Sequence, residues 1–260
     1  MCYEPTARPP LPPIAGGAGT AGSEDLVLEA SDGNRFMAYA VRSADPEAPG
    51  IVVMPDVRGL HPFYRDLAER LAEAGVHATA IDYFGRTAGI GDRGDGFEYR
   101  PHVDRTTPDT VALDVAAAVQ HLRSAAGGGA SRVYTVGFCF GGRRSLNQAA
   151  REHGLSGVIG FYPWPQKAGP EDTDAPVELA AGYRCPVLAL FGGADKGISR
   201  RDVDELERAL DAAGVRHEIA VYEGAPHSFF DRAYDEWKSV CDDAWGRLLR
   251  FVGSGAAPRG

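Results

Sequence analysis

The chain has 260 residues, 44% of them hydrophobic, and a formal net charge of −9. That length suits one large α/β domain with a sizeable core. The acidic balance leaves no footprint for DNA, RNA or an anionic membrane surface, and no apolar run is long enough to cross a bilayer.

The start, MCYEPTARPPLPPIAGGAGTAGSE, lacks the charged-then-apolar order of a secretion signal. Residues 1–23 read as a Pro/Gly-rich tail, extended or mobile, and residues 24–260 as a single domain. A soluble cytoplasmic protein is expected. Cys2, Cys139, Cys185 and Cys241 are far apart with no CxxC, and the seven histidines show no HxH or HExxH. Neither a disulfide framework nor a metal is called for.

Asp25 to Ser31 and Arg35 to Ser43 predict two strands around the turn Asp32-Gly33-Asn34. Gly50 to Asp56 is a continuous apolar run, as a strand covered on both faces requires. Pro62 to Ala74 has helical spacing, with Leu67, Leu71 and Ala74 on one face and Gly75 as the stop. Val76 to Asp82 is the next strand. A long, polar, Gly-rich loop from Tyr83 to about Arg105 follows; loops of that length are functional or disordered. Thr107-Pro108 opens a helix to about Arg123. Val133 to Val136 is a strand, and a helix runs from about Gly141 to Glu152. Strands are expected at Gly157 to Pro163, Pro186 to Gly192 and His217 to Glu223, with helices at Ser199 to Ala213 and Tyr234 to Val252.

Strands alternating with helices predict a mostly parallel sheet with helices on both faces. Active groups in such sheets gather at the carboxyl ends of the strands. Asp56, Tyr83, Cys139, Asp195 and His227 all directly follow predicted strand ends and should meet at one rim.

Residues 137–142 read GFCFGG, a nucleophile between glycines where a strand turns sharply into a helix. Small neighbours let strand and helix approach closely. The helix N-terminus favours thiolate, and the Phe140 N–H is placed to hold an oxyanion. The bland alternative is a buried cysteine beside a packing turn, which is the usual fate of an isolated Cys. The flanking strand, helix and glycines favour the nucleophile. A dinucleotide loop would need glycine where Cys139 stands.

A thiol needs a base, and the base an orienter. Asp195, in FGGAD, and His227, in EGAPHSFF, follow in the order nucleophile, acid, histidine. A loop Asp is usually a turn former and a loop His usually solvated; three correct placements together carry the argument.

GFCFGG, FGGAD and EGAPHSFF together resemble the dienelactone hydrolase family, the cysteine branch of the α/β-hydrolase fold, over roughly residues 24–252. The resemblance implies a Cys139–His227–Asp195 triad, a covalent thioester, release of the acid by water, and no cofactor. It implies that the Val57 N–H completes the oxyanion hole with Phe140. Where relatives carry a glutamate that contacts the resting thiol, this chain has Asp56, one methylene shorter, with pairing to Arg58 as its bland reading. Arg58 stands where the family has a pocket-facing aromatic; it either anchors an acidic substrate or locks Asp56. Where relatives that open dienelactone have a carboxylate-binding arginine, this chain has Asp231, which would repel an anion, with Arg232 shifted by one residue. The loop arginines Arg86, Arg93, Arg100 and Arg105 are candidates either for a second anion contact or for simple solvation. Tyr83, Phe84 and Trp164 are expected to wall the pocket, and Ser228 joins the accessory set.

The expected function is hydrolysis of a small-molecule ester or lactone. A thioesterase or a pathway-specific lactonase or cyclase would use the same triad. A binding protein on a hydrolase scaffold would not need all three groups, and a redox sensor lacks a resolving cysteine near Cys139. Oligomeric state is not legible.

Overall fold

The structure, a computed structural model, describes residues 8–14, 17–94, 96–170, 172–231 and 233–254. Cys2 and Arg232 lie outside them. Eight strands build one sheet: β1 (Thr20–Glu29), β2 (Arg35–Ser43), β3 (Gly50–Met54), β4 (His77–Ile81), β5 (Val133–Phe138), β6 (Gly157–Phe161), β7 (Val187–Gly192) and β8 (His217–Tyr222). Their order is β1-β2-β4-β3-β5-β6-β7-β8. β1 and β2 form an antiparallel hairpin, β2 is antiparallel to β4, and every later pairing is parallel.

The helices are α1 (Pro62–Glu73), α2 (Gly85–Ala88), α3 (Arg100–Val103), α4 (Pro108–Arg123), α5 (Phe140–Asn147), α6 (Pro176–Leu179), α7 (Arg200–Ala212) and α8 (Lys238–Gly253). Side chains on a strand alternate between faces, and β3 shows the result. Ile51 and Val53 enter the larger core with Phe63, Leu67 and Leu71 of α1. Val52 and Met54 enter a second core with Val111, Val115 and Val119 of α4. β3 through β7 are buried along their whole lengths, which is why their sequences are apolar apart from His77 and Thr79 in β4 and Thr135 in β5. This is an α/β-hydrolase fold, as expected.

Several boundaries differ from the sequence reading. β1 begins at Thr20, inside the stretch read as tail, because Ser23 and Glu24 pair with Val41 and Ala40. Farther upstream, the Trp245 Nε1–H donates to Pro10 O at 3.0 Å and the Ala18 N–H to Glu73 O at 2.8 Å. The long loop is partly ordered as α2 and α3. Between these two turns, Arg93 makes a buried ion pair with Asp82 at 2.8 Å and lays its guanidinium over Phe97. α5 is shorter than expected and passes into a 3-10 turn, Gln148–Ala150. α8 starts at Lys238, since residues 233–237 close into turns bonded to Ala233 O. α6 was not anticipated.

Candidate active site

The turn at Cys139 is built by steric necessity. A Cβ on Gly137 would sit 2.0 Å from Gly141 O, one on Gly141 would sit 2.1 Å from Pro55 O, and one on Gly142 would sit 2.6 Å from Phe161 O. All three obstacles are backbone, so only glycine lets β5, α5 and the loop after β3 meet. Cys139 itself has φ 54°, ψ −114°, a left-handed conformation held by the Cys139 N–H to Phe161 O bond at 3.0 Å. Among the described residues, two other non-glycine residues share positive φ: Tyr162 (40°), just after β6, and Ser228 (61°), beside His227. Such backbone costs about 1–3 kcal/mol each and gathers at functional sites. Phe140 opens α5, and its N–H belongs to the first turn, which has no intrahelical acceptor.

β7 ends in Gly192, and the turn beyond it presents Asp195. The side chain is 2% exposed. Oδ1 accepts from the Gly197 N–H at 2.8 Å and the Ile198 N–H at 3.2 Å. Oδ2 lies 2.6 Å from His227 Nδ1. Burial pushes the carboxyl up, but the His227 hydrogen bond and charge, with the two backbone donors, outweigh it and hold Asp195 below the ordinary carboxylate range. An ionised Asp195 makes Nδ1 the donor and leaves Nε2 as the basic nitrogen. The Tyr162 ring packs 4.7 Å from the imidazole.

Cys139, Phe140, Tyr162, Trp164, Ile198 and His227 line one cavity of about 570 Å³. A larger open depression, about 890 Å³, lies between the start of β8 and the end of α8 and holds no cysteine. Chemistry therefore singles out the smaller one.

Residues 36–255 match the dienelactone hydrolase family. The chain belongs to that family. It is 29% identical over 266 residues to a Salmonella typhimurium protein named "Putative carboxymethylenebutenolidase", covering 99% of this chain and 97% of that one. It is 27% identical over 232 residues to a Bradyrhizobium protein named "Probable 2-oxo-3-(5-oxofuran-2-ylidene)propanoate lactonase", covering 88% and 93%. Its fold is similar to the crystal structure of a "Putative Dienelactone Hydrolase" from Klebsiella pneumoniae, with TM-score 0.77, 27% identity, and coverage of 89% and 98%.

Within this family frame, the departures noted in the sequence take definite positions. Asp56 is buried; its Oδ1 accepts from the Arg58 N–H at 3.0 Å and lies 3.6 Å from Arg58 Nε. The Arg58 guanidinium therefore lies within ion-pair distance of Asp56. Tyr83 is buried and donates its hydroxyl to Pro55 O and, at 2.7 Å, to Asp56 O. It braces the loop that presents Val57 and packs edge-on against Phe140 at 5.6 Å. Among the described lining residues of the cavity, Asp56, Val57, Arg58, Tyr83, Phe84 and Ser228 do not occur, whereas Trp164 does. Ser228 is buried, and its Oγ has no hydrogen-bond partner among the described residues.

Asp231 corrects an expectation. It is buried and takes the Tyr162 hydroxyl on Oδ2 at 3.0 Å, so it is not set to repel an anion in the cavity. The loop arginines also lie elsewhere. Arg86 pairs with Asp32 and with Asp114 (2.8 Å), Arg93 with Asp82, Arg105 donates to Thr87 O at 3.1 Å, and Arg100 opens α3. The arginines that do line the cavity are Arg143 and Arg144, with Asp172 and Asp174 beside them. The sequence reading missed both arginines. The available signal was spacing: position 143 is four residues past Cys139 on a helix, and therefore on the same face.

Proposed function

We propose that Cys139, His227 and Asp195 are the catalytic triad of this ester or lactone hydrolase, acting by acyl transfer to sulfur. Asp195 fixes the Nδ1–H tautomer, and Nε2 of His227 takes the thiol proton. The thiolate attacks the carbonyl carbon; a C–S bond forms and the carbonyl π electrons move to oxygen. The Phe140 and Val57 N–H groups donate hydrogen bonds to that oxyanion. Collapse breaks the C–O bond, and the departing alkoxide takes the proton from His227; in a lactone it stays tethered to the acyl group. Water, deprotonated by His227, then attacks the thioester carbon. The C–S bond breaks, the acid leaves, and the proton returns to the thiol.

The observation that carries this reading is the 2.6 Å contact between Asp195 and His227, which shares a cavity with a cysteine held at positive φ. The scheme needs nothing beyond the chain and water. No helix among the described residues is long and apolar enough to cross a membrane; the same proposal treats the chain from β1 onward as one cytoplasmic domain. The test is p-nitrophenyl acetate and a small lactone, quenched in acid and analysed by peptide mass. A +42 Da acetyl adduct on the Cys139 peptide, and no turnover by Cys139→Ala, is the expected result. Turnover retained by Cys139→Ala overturns it.

A further inference from the structure

Arg143 and Arg144 bring two guanidiniums to the cavity wall, one helical turn beyond Cys139. Neither is left open to solvent. The Arg143 Nη1–H donates to Gln166 O at 2.8 Å, its Nη2–H donates to Asp172 Oδ2 at 2.5 Å, and its Nε lies 3.6 Å from Asp174 Oδ2. Arg144 donates to Asp174 Oδ2, and its guanidinium lies over the Phe140 ring at 4.9 Å. Arg144 Nε is buried without an acceptor among the described residues.

The two carboxylates are themselves tied down. Asp172 accepts from the Ala168 N–H at 2.8 Å and the Asp174 N–H at 2.9 Å. The Asn147 amide donates to Asp174 O at 2.7 Å and is held in turn by the Tyr183 hydroxyl. Residues 164–170 and 172–174 are thereby fastened to the nucleophile helix and supply Trp164 and Ala168 to the cavity wall. The rest of that wall, Phe140, Tyr162 and Ile198, is predominantly apolar.

Two positive and two negative charges meet at one end of an otherwise apolar cavity. A substrate carboxylate entering there competes with Asp172 and Asp174 for guanidiniums that already hold them. An acid displaced in that competition is left half-buried without its counter-charge, which is strongly unfavourable. An uncharged arm meets no such obstacle and gains from burial against Trp164 and Ile198.

We propose that the cavity selects esters with an uncharged, apolar arm, and that Asp172 and Asp174 set this selectivity by occupying Arg143 and Arg144. The proposal rests on Cys139 being the nucleophile of that cavity. It differs from the anionic substrate in the name of the Bradyrhizobium relative, a propanoate lactonase.

The test compares p-nitrophenyl hexanoate with the p-nitrophenyl monoester of adipic acid, which has a carboxylate in place of the terminal methyl. Assays run at pH 8, because burial pushes the Asp174 carboxyl above its ordinary range. Wild type should favour the hexanoate in kcat/KM by about tenfold or more. Asp172→Asn, which releases Arg143, should raise the adipate-to-hexanoate ratio about tenfold, and the double variant Arg143→Gln/Asp172→Asn should return it. The ratio stays informative if loosening of the segment lowers both rates, and thermal melting checks the fold of each variant. Preference for the adipate in wild type, lost in Arg143→Gln or Arg144→Gln, makes the arginines anion anchors and overturns the proposal. Wild type that cleaves neither ester, or Cys139→Ala that cleaves both, refutes the underlying chemistry instead.

Discussion

The acid of the proposed triad offers a sharp test because its two oxygens have different duties. Oδ1 of Asp195 accepts two backbone N–H groups, Gly197 at 2.8 Å and Ile198 at 3.2 Å, and Oδ2 faces His227 Nδ1 at 2.6 Å. In Asp195→Asn the amide has one oxygen to offer. Turning that oxygen toward His227 would set an NH2 against two backbone donors, so the oxygen stays at the Oδ1 position. The NH2 then points at Nδ1 and can only donate. Nδ1 becomes an acceptor, the imidazole proton moves to Nε2, and the nitrogen that should take the thiol proton is already protonated. The same loss of tautomer in Ser-His-Asp enzymes lowers turnover by about 10⁴, equivalent to about 5.5 kcal/mol of barrier at ~1.4 kcal/mol per decade. The fold should survive, because both backbone donors keep their acceptor. The assay is kcat for p-nitrophenyl acetate from pH 6 to 10, beside a thermal melt. Turnover should fall by three to four orders of magnitude near neutrality and recover partly at alkaline pH, where the thiol ionises without a base. An Asp195→Asn enzyme within about tenfold of wild type at pH 7 would refute the reasoning and direct attention to Asp172 and Asp174.

Cys139 should be alkylated by iodoacetamide before Cys185 and Cys241, whose buried thiols are pushed up to about 12; loss of activity that tracks any cysteine other than Cys139, Cys2 included, would move the nucleophile. Gly141→Ala places a Cβ 2.1 Å from Pro55 O and 2.3 Å from Met54 O, neither able to move like a side chain. A loss above about 3 kcal/mol in denaturant unfolding is expected, and a wild-type midpoint would refute the close approach. Tyr83→Phe removes the donor to Pro55 O and Asp56 O; kcat should fall about tenfold with KM little changed, whereas a pure KM effect would mean the loop bearing Val57 serves binding alone. Asp114 is buried in α4, and burial raises its carboxyl to about 6, against the Asn34 and Arg86 contacts that lower it. Between about pH 4 and 6 the folded chain then holds more protons than the unfolded one, so this group's contribution to stability falls as pH rises. Partly buried His153, lowered to about 4, gives the opposite slope over nearly the same range. The measurable quantity is therefore the melting difference between wild type and Asp114→Asn, which should favour wild type more at pH 4.5 than at pH 7.5; a constant difference would refute the Asp114 assignment.

What could be read from the sequence divides by how far the deciding contact reaches along the chain. The strands were legible because burial on both faces demands unbroken apolar runs such as Ile51 to Met54, and the nucleophile turn because its glycines answer to backbone atoms that any such turn brings close. The order Cys139, Asp195, His227 follows from successive strand ends, which the sheet carries to one rim whatever the intervening loops contain. Asp231 was misjudged for a different reason. Its place beside His227 is plain in one dimension, but Ser228 turns the backbone to φ 61°, and the carboxylate ends on the Tyr162 hydroxyl, 69 residues away in the chain. Arg93 sits in a stretch that reads as loose loop because its partner Asp82 precedes the Gly-rich segment and the pair becomes visible only once the chain has folded over it. Arg143 and Arg144 are the extreme case, with partners 29 and 30 residues on, in a segment with no motif at all. Reaction chemistry is held by backbone turns and is local enough to read. Selectivity depends on whether a guanidinium is occupied, and that is decided by a loop whose sequence offers no sign of where it will lie.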